Sequence, residues 1–166
     1  MTNRTGRALL LAAVLGLVFV SHLGPVIDFD VWFHLRMGEE IARTGSIPHY
    51  ESFLGEHSPP HWTLNDEWGF RLLCWWVFQW GGQGGLAVML SAMICAIWFS
   101  IYVACRRGGL ASLPSLIWML AVDQVVATRY ILRPQLMTCV FVAVMMAILL
   151  SAERSQLPSD PAAAPR

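Results

Sequence analysis

Apolar residues fall into five blocks along the chain: Ala8 to Ile27, Trp68 to Trp80, Leu86 to Cys105, Leu110 to Thr128 and Leu136 to Ala152. One long polar stretch, residues 28–67, separates the first block from the rest. At about 1.5 Å per helical residue, the first block covers roughly the 30 Å of a bilayer's hydrocarbon core. Arg4 and Arg7 precede it, which predicts a cytoplasmic N-terminus. A cleaved signal peptide is the rival reading, but no small-x-small cleavage site follows, which favours a retained helix ending near Gly24-Pro25. Of the later blocks, 86–105 and 110–128 are long enough to span and 136–152 just reaches. Block 68–80 is marginal, and its tryptophans (Trp68, Trp75, Trp76, Trp80) suit a membrane interface as well as a helix. Gly81-Gly82-Gln83-Gly84-Gly85 predicts a flexible break between helices.

The expected fold is therefore all-α: a polytopic membrane helix bundle of four to five spans, with a long outer loop carrying a short amphipathic helix. Its parts are a cytoplasmic N-terminus (1–7), a first membrane helix (8–27), an outer acidic loop (28–67), the remaining membrane helices (68–152) and a disordered Pro/Ala/Ser tail (153–166). Orientation is harder to read. If 68–80 crosses, Arg106 and Arg107 lie outside; if it is re-entrant, they lie inside but Arg129 and Arg133 lie outside. Neither arrangement gives a clean charge bias.

Composition sharpens the contrast between loop and spans. The chain is 56% hydrophobic and 13% charged, with a net charge of zero. Eight of its eleven acidic residues lie between Asp28 and Glu67, with four of its five histidines. A zero net charge with no basic face argues against nucleic acid as a partner; the implied partner is the lipid bilayer. All basic residues are arginine. Cys74, Cys95, Cys105 and Cys139 fall in or beside apolar segments without metal-ligand spacing, as free buried thiols do.

Within the loop, Phe33, Met37 and Ile41 recur at helical spacing, and Arg36/Glu40 and Glu39/Arg43 stand at ion-pair spacing. The pattern predicts an amphipathic helix with Asp30 at its N-cap and Gly45 near its C-cap, its apolar stripe on the membrane surface or against the bundle. Asp30 is either a capping carboxylate or, with Asp28, a general base or the oxygen ligand of a divalent cation. Asp66 and Glu67 have the same duality at the start of the next helix. His49, His57 and His61 lack metal-ligand spacing and read as solvated loop residues. His34 stands one turn after Asp30, either on the helix surface or in a site. Asp123, inside an apolar block, must face the bundle interior, water or an arginine; a pair with Arg129 or Arg133 is the simplest solution. Those two arginines, one helical turn apart if helical, would suit a phosphate or pyrophosphate group. Pro134 lets a new helix begin.

Four ordered motifs are familiar: Asp28-Phe-Asp30-Val-Trp32-Phe-His34-Leu-Arg36-Met-Gly38-Glu39; Gly45-Ser-Ile-Pro48; Asn65-Asp66-Glu67-Trp68; and Arg133-Pro134-Gln135-Leu-Met-Thr138. The series resembles the N-terminal part of bacterial polytopic proteins of the GT-C glycosyltransferase-like superfamily. Those read D-x-D-x-W-W-H-L-x-x-G-E, G-x-I-P, D-x-F-S, E-W-L and R-P-Q-L-F, and the likeness runs from Ala8 to Ala152. The resemblance implies a transferase of the bacterial inner (plasma) membrane that takes a sugar from a polyprenyl-phosphate donor at the outer face. The base or metal-ligand role then falls on Asp30, with Asp28 the nearest alternative. His34 and Arg36 lie in the first motif, Asp66 and Glu67 match the second acidic motif, and Arg133 and Gln135 match the last. With Arg129, these are the candidate substrate-binding residues. Phe33 replaces the second tryptophan, Glu51 stands where an aspartate is usual, and Gly69 replaces a leucine. Proteins of this kind are usually several hundred residues long, so a further C-terminal region or a membrane-protein partner is implied. A non-catalytic subunit or assembly factor retaining the fold is the alternative function. A transporter is disfavoured because the acids cluster in a loop rather than along the spans.

Overall fold

The computed structural model describes residues 4–48 and 67–156, and among them it is helical with no strand. The helices are α1 (Arg4–Ser21), α2 (Phe29–Thr44), α3 (Trp68–Arg107), α4 (Ser112–Val126) and α5 (Pro134–Gln156), with a 3-10 turn at Ala127–Arg129. They fall into two compact units. Among the described residues, one contains 4–22, 91–130 and 138–156; the other contains 23–48, 67–90 and 131–137.

Three helices, α1, α3 and α5, are long and apolar enough to cross a membrane, and the chain is built as a membrane protein. Large side chains such as Leu17, Val20, Phe141, Met145 and Ile148 lie exposed on α1 and α5. In water this would be costly; against lipid tails it is not. Block 110–128 folds as α4 followed directly by the 3-10 turn. α4 alone has 15 residues, about 22 Å, and the turn lengthens it.

Boundaries shift for local reasons. α1 stops at Ser21 rather than running on to Ile27, because Gly24 and Pro25 cannot prolong it. The glycine run does not separate two helices by a loop. It makes a kink inside α3, where Gly82 adopts φ 55°, ψ −145°, a backbone conformation essentially restricted to glycine. Gly85 serves the same bend, since a Cβ there would lie 2.8 Å from the Val77 carbonyl oxygen. α5 begins at Pro134 as expected but continues to Gln156, so Glu153 and Arg154 are helical rather than part of a tail. Residues 157–166 lie outside the described residues. The cysteines are free; Cys74 is buried, but Cys139 is exposed on α5, against the expectation of buried thiols throughout.

α2 is the amphipathic helix of the loop, and its apolar face lies against α3. Its buried residues are Val31, His34, Leu35, Met37, Gly38 and Ile41. The buried stripe is thus rotated from the Phe33/Met37/Ile41 line, leaving Phe33 half-buried under the Arg71 guanidinium, 4.8 Å from its ring centroid. The rotation has a steric cause. Gly38 meets the first arm of α3 so closely that a Cβ there would overlap the Arg71 carbonyl and lie 2.8 Å from the Trp75 Cβ. Gly45 ends the helix in the left-handed conformation, its N–H donating to the Ile41 carbonyl.

Candidate functional site

The N-cap of α2 is Asp28, not Asp30. Asp28 has extended backbone (φ −139°, ψ 127°), and its Oδ1 accepts the Asp30 N–H at 3.1 Å. Asp30 therefore sits in the first helical turn with its carboxylate unused by the cap, half-exposed and favoured by the helix dipole. The difference is one of register: a helix beginning at Phe29 leaves the carboxylate two positions earlier to reach the orphan amide.

Arg133 joins both carboxylates. Its Nε donates to Asp28 Oδ2 at 3.0 Å, and its Nη2 contacts Asp28 Oδ1 at 3.4 Å and Asp30 Oδ2 at 2.7 Å. A cation immediately before the N-terminus of α5 is disfavoured by that helix's dipole. The two aspartates offset this, and they hold the guanidinium pKa above its ordinary value. Burial is the largest influence on the Asp28 carboxyl and pushes its pKa up. The hydrogen bonds from Arg133 and the Asp30 amide, with the Arg133 charge, outweigh it and leave the pKa below the ordinary carboxylate value. The Arg133 pair places residues 105 positions apart in one cluster.

His34 is not a surface imidazole. It is 6% exposed, packs edge-on to Phe70 with ring centroids 5.3 Å apart, and its Nδ1 has no hydrogen-bond partner among the described residues. Burial, then the Arg71 charge, lowers its pKa, opposed by Glu67, Asp30 and Asp28. The imidazole is therefore held neutral, within electrostatic reach of the acidic cluster. Glu67 pairs with buried Arg71 at 3.6 Å one turn into α3. Arg71 was not singled out from the sequence. Its signal is a charge placed four residues after Glu67 in an apolar segment.

Other expected site residues lie elsewhere. Arg36 is exposed and pairs with Glu39 at 2.7 Å rather than with Glu40 as spaced. Gln135 is exposed in the first turn of α5. Residues 130–133 are not helical, so Arg129 and Arg133 are not successive turns of one helix and the expected two-arginine grip does not follow. Asp66, Glu51, His49, His57 and His61 lie outside the described residues. A divalent cation does not fit the aspartate pair as arranged, because the Arg133 guanidinium already occupies the Asp28 oxygens and Asp30 Oδ2. Among the described residues, no group of three or more His, Cys, Asp or Glu side chains could hold a metal ion.

Asp123 solves its burial differently from the expected arginine pair. Fully buried in the first unit, it accepts the Trp98 indole N–H at 2.7 Å, and both its oxygens face His22 Nε2 at 3.1–3.2 Å. The Tyr130 ring stands edge-on to His22 at 5.0 Å. An aspartate at helix-centre depth costs about 3 kcal/mol on insertion scales, and these polar partners offset that cost. His22 was legible only as a titratable residue inside the first apolar block.

Compared with family models, with curated proteins and with solved structures, the chain matches none.

Proposed function

We propose that this chain is a GT-C-like glycosyltransferase module of a bacterial inner membrane, acting at the outer face on a polyprenyl-phosphate-linked sugar. The observation that carries the reading is the Arg133 bridge to Asp28 and Asp30, which unites the first and last of the resembling motifs. In this reading Arg133 leaves the aspartates for the donor phosphate, which a guanidinium can grip through two N–H bonds. Asp30, more exposed than Asp28, is then free to accept the proton of an acceptor hydroxyl. The acceptor oxygen bonds to the sugar's anomeric carbon as the carbon–oxygen bond to phosphate breaks, and the lipid phosphate departs on Arg133. Asp28 stays as the cap that positions the α2 terminus.

The same contacts support a definite arrangement of crossings. The Asp28–Arg133 bridge puts the chain after α1 and the chain before α5 on one membrane face. Arg154 Nη1 donates to the Arg106 and Arg107 carbonyls, which puts the C-terminal ends of α3 and α5 together on one face. In this reading α3 crosses once and α4, extended by its 3-10 turn to about 28 Å, crosses back. The proposed arrangement then has four spans without a separate crossing by the first arm of α3, and Arg4 and Arg7 favour a cytoplasmic N-terminus.

The test is transfer from a polyprenyl-phosphate sugar by purified protein. Activity lost in Asp30→Asn, and donor binding weakened in Arg133→Gln, both without unfolding, support the reading. Failure of the wild type to bind any such donor would favour the alternative, a non-catalytic subunit. That alternative draws on the closed state of the cluster, in which Arg133 neutralises both carboxylates.

A further inference from the structure

Arginines at the two ends of the chain's polar map are treated differently. Arg133 and Arg71 face carboxylates. Arg106, Arg107 and Arg154 do not: among the described residues none has an acidic partner, and the neighbouring Glu153 makes no ion pair with them. Yet these three are gathered. Arg154 Nη1 donates to the Arg107 carbonyl at 2.6 Å and the Arg106 carbonyl at 3.1 Å, and the Arg106 Nη1 donates to the Leu110 carbonyl. Each contact spends one N–H of a guanidinium that carries five, so most donors remain open.

Their place along the helices is as telling as their charge. Arg106 and Arg107 are the last residues of α3, and Arg154 stands in the last turn of α5. The Arg154 guanidinium therefore lies against the backbone of Arg106 and Arg107, so three arginines share one place at the ends of two membrane-length helices. That is the level of phospholipid phosphates, and each arginine near an anionic surface strengthens binding. The turn between α3 and α4 is built for close approach: Gly108 and Gly109 add no side chain, and Gly109 takes φ 95°.

We propose that Arg106, Arg107 and Arg154 form a binding site for the headgroup phosphate of an anionic phospholipid, fixed where α3 and α5 leave the membrane. The proposal does not rest on the transferase reading.

The experiment titrates the full-length chain in neutral detergent with phosphatidylglycerol, phosphatidylcholine or inorganic phosphate and counts bound molecules by native mass spectrometry. Expected is a preference for phosphatidylglycerol that falls roughly fivefold per arginine removed, to near parity in the triple variant R106Q/R107Q/R154Q. Because Arg106 and Arg154 also hold backbone carbonyls, Arg107→Gln is read alone; its guanidinium makes no described hydrogen bond, so folding is spared. Arg43→Gln, on exposed α2, should leave the preference unchanged. Equal retention of both lipids by the wild type overturns the proposal, as does a preference that survives Arg107→Gln and the triple variant. Inorganic phosphate competing on equal terms with the lipid would overturn it in favour of a free-anion site.

Discussion

Two of the carboxylate clusters among the described residues differ in what surrounds them. At the outer cluster, Asp28, Asp30 and Arg133 meet with Arg133 and Asp30 about half exposed. At the inner cluster, Asp123 is wholly buried and His22 nearly so, with the Trp98 indole as third member. Exposed ion pairs are worth little because water competes for both charges. Such a pair opens cheaply, as the proposed exchange of the guanidinium for a substrate phosphate would require. A buried carboxylate has no such freedom. Once its partners are lost it keeps the full desolvation cost, so the inner cluster ties α1, α3 and α4 and is not a site of exchange.

The comparison is broken most forcefully at the inner cluster. Asp123→Ala leaves the buried Trp98 N–H without its acceptor and should cost about 3 kcal/mol, read as a lowered midpoint in thermal unfolding in detergent. A change within 0.5 kcal/mol, about the level of a neutral surface substitution, would show the two clusters to be equivalent. The next largest effect separates the outer cluster from its scaffold. Gly38→Ala should cost about 2 kcal/mol by overpacking, because Gly38 touches the α3 backbone. If it is silent, the looseness of the cluster belongs to α2 as a whole. Asp28→Ala removes the cap of α2 and should cost about 1 kcal/mol. Its folded pKa lies below the ordinary 3.8, so its contribution is present above that value and lost as pH falls through the lower folded value. Melting curves of the wild type and the variant should therefore converge only in strong acid. The smallest effect is that of His34. Folding holds its imidazole below the ordinary 6.5, so stability is complete above that value and declines as pH falls from 6.5 towards the lower folded value. His34→Phe should flatten the melting temperature between pH 7.5 and 5; an unchanged slope would locate the titration elsewhere.

Much of this was legible along the chain because it depends on neighbours within a turn or two. The apolar blocks mark α1, α3 and α5; Gly45 ends α2, and Pro134 opens α5. The acidic loop identified Asp28 and Asp30 as chemistry and the last motif identified Arg133, yet not as one cluster. Periodicity assigned α2 its apolar stripe to within one residue and still misplaced it, since the close approach at Gly38 sets the rotation and depends on α3. Choosing between Asp28 and Asp30 as cap likewise required the true first residue of the helix.

What the sequence by itself determined is the helical and membrane character of the protein, because hydropathy and helix period are sums over adjacent residues. What only the tertiary structure decided is partnership: Arg133 with Asp28 and Asp30, Asp123 with His22 and Trp98 rather than with an arginine, Arg154 with the end of α3. Those pairs close over 25 to 105 residues, and a contact at such separation is set by how helices pack, which no local pattern of side chains encodes.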